Sequence, residues 1–564
     1  MTLTPRTHHV KPVHGLSFLA IALYACAPAS SITPAAPAPS PIVAQAPAAQ
    51  APIASPPAAP AKKAPLTESP RNWQLLDENA DGVPGISSER AMHDLLAGVQ
   101  PKRTVIVAVI DGGTDTAHAD LRANLWTNPR EVAHNGADDD KNGYVDDVHG
   151  WNFIGGKDGR DVNQDTHEVT RQYVRCKSAT PPYPADKCAA ITADFEKERG
   201  EAVQTLAQVH QIDSVFTAIT KVLSTALGTD SLAPERLAAF QPSDPTLARA
   251  KSIYMQLHAQ GLNRHEIDEG LKAYGSRVKY GLNPAFDSRT VVGDNYANVA
   301  ERTYGNADVT GPDASHGTHV AGIIGAVRGN GVGIDGIAPA VKLMIVRTVP
   351  DGDERDKDVA NAIRYATDNG AQVINMSFGK GYSPDKSAVD DAVKYADAHG
   401  VLMVHAAGND GADLADKANF PTPVYANGDH ARNWIEVGAS SWKGGDSLAA
   451  SFSNYSHTLV DVFAPGVDIL STVPGGLYEK DSGTSMASPV VTGLAALLMA
   501  YYPSLTAADV KKIIVSSAVS HASQMVVKPG GADKVPFGTL SISGGVVNAY
   551  DAIKMAQQMT ATRP

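Results

Sequence analysis

Cysteine is the scarcest feature of this sequence, with three residues in 564. Three cannot build a disulfide-dense mini-scaffold or a four-cysteine zinc site. Positive charge is also short: 48 Lys and Arg face 60 Asp and Glu, a net charge of −12. The chain therefore lacks the basic surplus by which a nucleic-acid binder holds phosphates, and no such partner is expected. No run is read as reaching the ~18–20 apolar positions that span a bilayer, which argues against an integral helical membrane protein. What is present is 43% apolar and 19% charged residues, enough to bury a core and too little charge for whole-chain disorder. At about 150 residues per domain, length alone suggests three to four domains.

The first 65 residues belong to none of them. Arg6 and Lys11 precede a largely apolar stretch, residues 15–25, that ends in Leu23-Tyr24-Ala25-Cys26. A basic start, a short apolar segment and a small residue before the cut describe a secretory signal peptide over residues 1–26. Its ending resembles a bacterial lipobox, which implies lipidation of Cys26, and Ala27 after it implies the outer membrane. A periplasmic or secreted protein is the alternative. Residues 27–65 hold 15 Ala and 11 Pro, a composition that builds no core and reads as a disordered spacer. Cys176 and Cys188 remain, 12 positions apart. In an exported chain they read as a local disulfide, with two free thiols as the alternative.

From Lys102 the texture changes. Val105 to Ile110 is a continuous apolar, mostly β-branched run that ends at Asp111-Gly112-Gly113. Such a run marks a strand buried on both faces. A carboxylate at its carboxyl end lies where open α/β sheets hold ligands. Ser315-His316-Gly317-Thr318-His319-Val320-Ala321-Gly322 follows much later, as a helix packed close to a sheet. Gly483-Thr484-Ser485-Met486-Ala487-Ser488-Pro489 then opens an apolar helix, with Pro489 expected in its first turn. Asp, His and Ser are the parts of a nucleophilic hydrolase: the His takes the Ser proton, and the buried carboxylate fixes and stabilises the His. Asp111, His316 and Ser485 are the candidates. Asp115, Asp120, His319, Ser482 and Ser488 are rivals that fit the motif positions less well.

The order Asp…His…Ser and these three blocks resemble the subtilisin-like serine peptidases. The resemblance implies that Val401-Leu402-Met403-Val404-His405-Ala406-Ala407-Gly408-Asn409 is the strand ending in the oxyanion-hole Asn409. It also implies that Val373 to Gly379 pairs with extended substrate, that Ser377, Phe378 and Gly379 flank the S1 pocket, and that Asn419 forms its floor. His405 departs from the small residue expected at its place and reads as a structural or subsite residue. The implied activity is a serine endopeptidase acting through an acyl-enzyme, with polypeptide substrates and no cofactor for catalysis. A silent binding lipoprotein and an esterase or acyltransferase are the alternatives. A monomer is expected.

Alternating strands and helices from Lys342 to Val437 read as a mainly parallel sheet covered on both faces, a three-layer α/β subtilisin-like fold. Asp111 and His316 are 205 positions apart, far beyond the family's usual gap, so residues 159–304 read as an inserted helical subdomain. The peptidase domain then comprises residues 102–158 and 305–555, preceded by an N-terminal arm, residues 66–101. The arm is too short for the folded pro-domain of many subtilases. Within the insertion, Val203, Leu206, Val209, Ile212, Phe216, Ile219 and Leu223 recur at helical spacing. Asp244-Pro245 reads as a helix start and Asn263 with Glu266 as a capping box. The insertion reads as a lid or docking surface, or as a structural appendage.

Asp138, Asp140, Asn142, Gly143 and Asp146 follow a D-x-D-x-N-G-x-x-D spacing. The side-chain oxygens of Asp138, Asp140, Asn142 and Asp146, with the Tyr144 carbonyl assisting and Gly143 making the turn, can converge on a structural Ca²⁺. His149 replaces the bidentate Glu of an EF-hand, so a true EF-hand is not expected. Asp77, Asn79 and Asp81 form a weaker set of the same kind.

Overall fold

The structure, a computed structural model, describes residues 66–562. The signal peptide, Cys26 and the Ala/Pro spacer lie outside the described residues. The strands are β1 (Val105–Asp111), β2 (Gly150–Asn152), β3 (Val341–Arg347), β4 (Val373–Met376), β5 (Leu402–Ala406), β6 (Trp434–Ser440), β7 (Val462–Pro465), β8 (Ile469–Val473), β9 (Leu477–Asp481), β10 (Val519–Ser520), β11 (Met525–Val527), β12 (Lys534–Pro536) and β13 (Gly545–Val546). Nine of them form one sheet in the order β10-β13-β7-β6-β5-β4-β1-β3-β2. Its pairs are parallel except β10 with β13. The pairs β8–β9 and β11–β12 are separate antiparallel hairpins.

The apolar run of β1 is explained by burial on both faces. Val105, Val107 and Val109 enter one cluster, and Ala108 and Ile110 enter another across the sheet. The first face carries α9 (Ser315–Gly325), α12 (Thr484–Tyr501), α13 (Ala507–Ser516) and α14 (Ala549–Ala561); the second carries α10 (Asp356–Asp368) and α11 (Lys386–Ala398). This is the expected three-layer α/β arrangement. One expectation is corrected here. The 18 residues of α12 have a mean hydropathy of 1.4, long and apolar enough to cross a membrane, yet the helix is wholly buried within the protein. It is a core helix, apolar all round because protein surrounds it.

The arm packs on this core. It holds α1 (Glu78–Asp81) and α2 (Ser88–Asp94), and Trp73, Leu75, Val83 and Ile86 are buried in the first cluster. The Trp73 indole donates to the Val467 carbonyl, and Ala549 N–H donates to the Ile86 carbonyl. Asp77 caps α1 through Asn79 and Ala80 and pairs with Arg90. That role accounts for the spacing that had suggested a weak cation site.

The insertion holds α3 (Glu168–Cys176), α4 (Ala185–Leu227), α5 (Pro234–Ala239), α6 (Pro245–Ala259), α7 (Arg264–Ser276) and α8 (Arg289–Val292). A Cys176–Cys188 disulfide ties the end of α3 to the start of α4. Asp244 caps α6. Asn263 caps α7 by accepting from Glu266 N–H. The stripe on α4 differs from the expected one in its first half. Ile191, Phe195 and Ala202 are buried there, and Val203 is exposed. The first half packs with Val169 and Leu282, the second with Leu257, Leu262 and Ile267. The buried positions keep one seven-residue repeat along this 43-residue helix, so that Ala202 precedes Val209, Phe216 and Leu223.

Candidate active site

The three motif blocks meet at the carboxyl end of the sheet. Asp111 closes β1 and is buried. Its Oδ1 accepts from Gly112 N–H at 2.7 Å and lies 2.8 Å from Nδ1 of His316, the second residue of α9. Gly317 permits this approach, because a Cβ there would sit 2.1 Å from the Gly113 carbonyl oxygen and 3.2 Å from Asp111 Cβ. A carboxylate on Nδ1 selects the tautomer that leaves Nε2 as the base and stabilises the cation formed on proton uptake. The His316 side chain is 41% exposed, open to a ligand. His319 lacks that access. It is buried, its Nε2 lies 3.1 Å from the Glu479 carbonyl oxygen, and burial pushes its pKa down to about 4.

Ser485 is the second residue of α12, after Gly483 at the N-cap and Thr484. Its N–H is one of the donors that a helix start leaves unused, and none of the hydrogen bonds among the described residues engages it. Its hydroxyl donates to the Ser377 carbonyl at 3.1 Å. Proton transfer to an imidazole requires that O–H to turn. The helix begins five residues before Pro489, so Pro489 occupies the second turn, not the first turn expected from the sequence. Proline lacks the N–H that would bond the carbonyl four residues back, that of Ser485. The Ser377 hydroxyl supplies the missing donor, reaching the Ser485 carbonyl at 2.9 Å. Two hydrogen bonds between Ser377 and Ser485 thus lock the segment after β4 to the start of α12.

Asn409 follows β5. Its Oδ1 accepts from Thr484 N–H at 2.9 Å and from the Thr484 hydroxyl at 3.0 Å. A backbone N–H can only donate, so the amide orientation is fixed and Nδ2 is turned the other way. A Cβ built on Gly483 would lie 3.5 Å from both Asn409 Nδ2 and the Ser485 nitrogen. The two donors therefore flank one small space, which glycine keeps open. Paired donors beside a hydroxyl and an imidazole–carboxylate pair can stabilise an oxyanion formed by attack on a carbonyl.

Ser377 lies against Ser485, Phe378 is buried in the second core cluster, and Gly379 lies beside Asn419. Asn419 donates to the Ala406 carbonyl at 3.1 Å, and its Nδ2 would lie 2.4 Å from a Cβ on Gly379. It thus fills the gap between the Ser377–Gly379 and Ala406–Gly408 segments. His405 is buried. Its Nδ1 lies 2.9 Å from Glu436 Oε1 and its Nε2 lies 2.8 Å from the Phe378 carbonyl oxygen, so it anchors the cleft wall from behind. Thr484 and the Ser377 hydroxyl are the site parts that sequence reasoning missed. The Pro four residues after Ser485 is the signal that could have found the second.

The acidic loop distributes its carboxylates differently from the expected ligand set. Asp138 accepts from Asn142 and Gly143 N–H, Asn142 from Tyr144 N–H, and Asp146 from Asn135 and Gly136 N–H. The Tyr144 ring packs against Trp151 and Tyr365. Of the expected carboxylates, Asp140 joins a group of converging acidic side chains. Its partners are Glu131 and Asp147, with ligand oxygens within 4.8 Å of one another. Arg130 pairs with Asp140 at 3.0 Å. Glu131 Oε2 is buried with no hydrogen-bond partner, and burial pushes Asp147 up to about 6. Crowded, under-neutralised carboxylates suit a hard divalent cation.

Residues 102–538 match the model of the subtilase family, Peptidase S8. A thermophilic serine proteinase from a Bacillus species is 47% identical over 185 residues, 33% of this chain and 42% of that protein. The chain thus spans less than half of that relative. Subtilisin BL from Lederbergia lenta is 39% identical over 210 residues, 37% of this chain and 71% of that protein. A solved protease structure from Pseudoalteromonas arctica covers 86% of this chain and 98% of its own, at 20% identity and a TM-score of 0.45.

Proposed function

The chain belongs to the subtilase family, and we propose that it is a serine endopeptidase that cuts polypeptides through an acyl-enzyme. What supports this is the Asp111–His316 pair at the end of β1 and, beyond the end of the adjacent β4, Ser485 held to Ser377 beside the donors of Asn409 and Ser485. In this reading Ser485 attacks the scissile carbonyl. His316 takes its proton and returns it to the leaving amine, and Asp111 stabilises the imidazolium. Asn409 Nδ2 and Ser485 N–H hold the oxyanion. A fluorophosphonate should label the protein at Ser485, and labelled protein should cut no peptide in a peptide-library digest. Cleavage of short-chain esters without peptides would turn the reading to an esterase.

The proposal extends to a structural Ca²⁺ held by Asp140, Glu131 and Asp147. The unpartnered Glu131 Oε2 supports it. Chelation should lower the unfolding temperature by about 4–8 °C for each kcal/mol lost in a small domain, and less in a chain of this size. Calcium should restore it. In Asp147→Asn the chelator should change nothing; an equal shift in that variant would sink the assignment.

The address of the chain is proposed from its first 65 residues alone. Cys26 carries a lipid that holds the protein at the outer membrane, and the Ala/Pro composition of residues 27–65 supports a spacer. Cys26→Ser should move the protein from the membrane fraction to the soluble fraction. Unchanged fractionation would leave the periplasmic or secreted alternative.

A further inference from the structure

The segment that would pair with substrate runs directly into the insertion. Ser377 lies against Ser485, and Gly379 keeps its backbone N–H and carbonyl out of every hydrogen bond among the described residues. An extended chain can pair along this stretch. The opportunity ends at the next residue, because Lys380 N–H and carbonyl both bond to Phe420, at 3.0 and 2.9 Å. The side chains beyond are taken by the insertion. Lys380 Nζ lies 3.0 Å from Glu168 of α3, 2.7 Å from Asp356 and 2.8 Å from the Glu354 carbonyl oxygen. Tyr382 bonds to Asp194 of α4 and packs with Val169 and Phe195. From the facing side, Arg171 of α3 donates to the carbonyls of Asp353 and Glu354 at 3.2 Å. Helix α3 therefore closes the gap between the Asp353–Glu354 segment and Lys380.

The closure has a chemical character. Glu168, Asp356 and Glu354 are buried around Lys380. Arg171 and Lys380 hold the Glu168 carboxyl down at about 2 against the upward push of burial. The Lys380 charge pulls Glu354 down too, but burial outweighs it. Its Oε1 is buried with no hydrogen-bond partner, and burial pushes it up to about 8. Glu354, Asp356 and Lys380, with Val359 and Pro421 beside them, line a cavity of about 10 Å³. That is room for one water-sized group, and an ammonium head is of that size.

We infer that α3 is the end wall of the substrate cleft, limiting the chain on the amino side of the scissile bond to about three residues, and that Glu354 in this wall receives a free α-ammonium group. Ser377 to Gly379 offers about 10 Å of pairing edge at ~3.3 Å per residue, which sets the count. This rests on the peptidase reading above and narrows it. Bonds within three residues of a free N-terminus are cut best, and internal bonds only where the substrate chain turns out of the cleft beyond the third residue. Residues such as Glu168 and Glu354 act on specificity and touch no reacting atom.

The test is a set of peptide anilides with one to five residues before the cleaved bond, each with a free or an acetylated N-terminus. The enzyme used is the full chain, whose active sites are counted by fluorophosphonate labelling. Specificity, kcat/KM, should peak at two or three residues and fall by at least about ten-fold at four and five. Acetylation of the best peptide should cost about five-fold or more, and Glu354→Gln should reduce that penalty while the length limit stays. A labelled enzyme whose kcat/KM rises steadily to five residues, or which cuts none of the series, overturns the wall. A labelled enzyme indifferent to acetylation overturns the role of Glu354. An enzyme that takes no label overturns the hydrolase reading itself. Glu168→Gln strips the buried carboxylate from Arg171 and Lys380 and is expected to destabilise the fold, so the length series on the unaltered protein decides.

Discussion

Ser485→Ala is expected to lose about six orders of magnitude in kcat and all fluorophosphonate labelling; the size of the loss is the one measured for this triad in subtilisin. The fold should survive, and the reason is local. The bond that holds the helix start to the cleft wall runs from the Ser377 hydroxyl to the Ser485 main-chain carbonyl, and alanine keeps that carbonyl. The hydroxyl lost makes one hydrogen bond, to the Ser377 carbonyl. Both residues are buried, so the loss of one donor to that carbonyl costs about 1 kcal/mol. The variant should therefore stay folded, with a slightly lower unfolding temperature, and still bind substrate. What remains of the rate comes from the oxyanion donors and binding alone. Labelling of the alanine variant at the wild-type rate would show that another nucleophile does the work, and the assignment would fail.

The part of this protein that matches the subtilase family is legible because its candidate site residues sit at ends of elements that announce themselves. Asp111 ends an apolar run that only a doubly buried strand explains. His316 and Ser485 open helices whose small residues mark close packing. The sequence hid what depends on partners far along the chain. Asp353 to Asp358 are six consecutive charged residues, and all six are buried. Nothing in such a run signals burial. Their partners come from the insertion and its flanks, with Asp165 on Arg355, Arg289 on Asp358, and Asp294 on Lys357. Burying that many charges is tolerable where they are paired, as Asp353 is with His167 and Asp356 with Lys380, while the Glu354 Oε1 alone of this run is buried without a hydrogen-bond partner among the described residues. The same distance effect hid the converging carboxylates, since Glu131 lies outside the D-x-D-x-N-G spacing and meets Asp140 only through the folded loop. On α4, the expected stripe put Val203 inside; the buried positions keep a seven-residue repeat that places Ala202 there instead.

Asn409→Ala should cut kcat by about 10²–10³ with little change in KM; that range was measured for the corresponding donor in subtilisin. The split between the two constants is the informative part. An oxyanion donor bonds a charge that exists only after attack, so its loss removes transition-state stabilisation and leaves ground-state binding alone. The structure adds a second-order expectation. Nδ2 is aimed because Oδ1 is held twice by Thr484, once by the main chain and once by the hydroxyl. The hydroxyl is itself fixed by accepting from Gly408 N–H at 3.0 Å. Thr484→Val keeps shape and loses both hydroxyl bonds. It should lower kcat by about ten-fold, because the remaining main-chain bond still selects the amide orientation while allowing it to swing. In the double variant the two losses should not add, since an amide that is absent cannot be mispositioned. Full additivity would mean that Thr484 acts on the reaction independently of Asn409, and the positioning role would be lost. A rise in KM with kcat unchanged in Asn409→Ala would move that residue from the oxyanion to ground-state binding of the substrate.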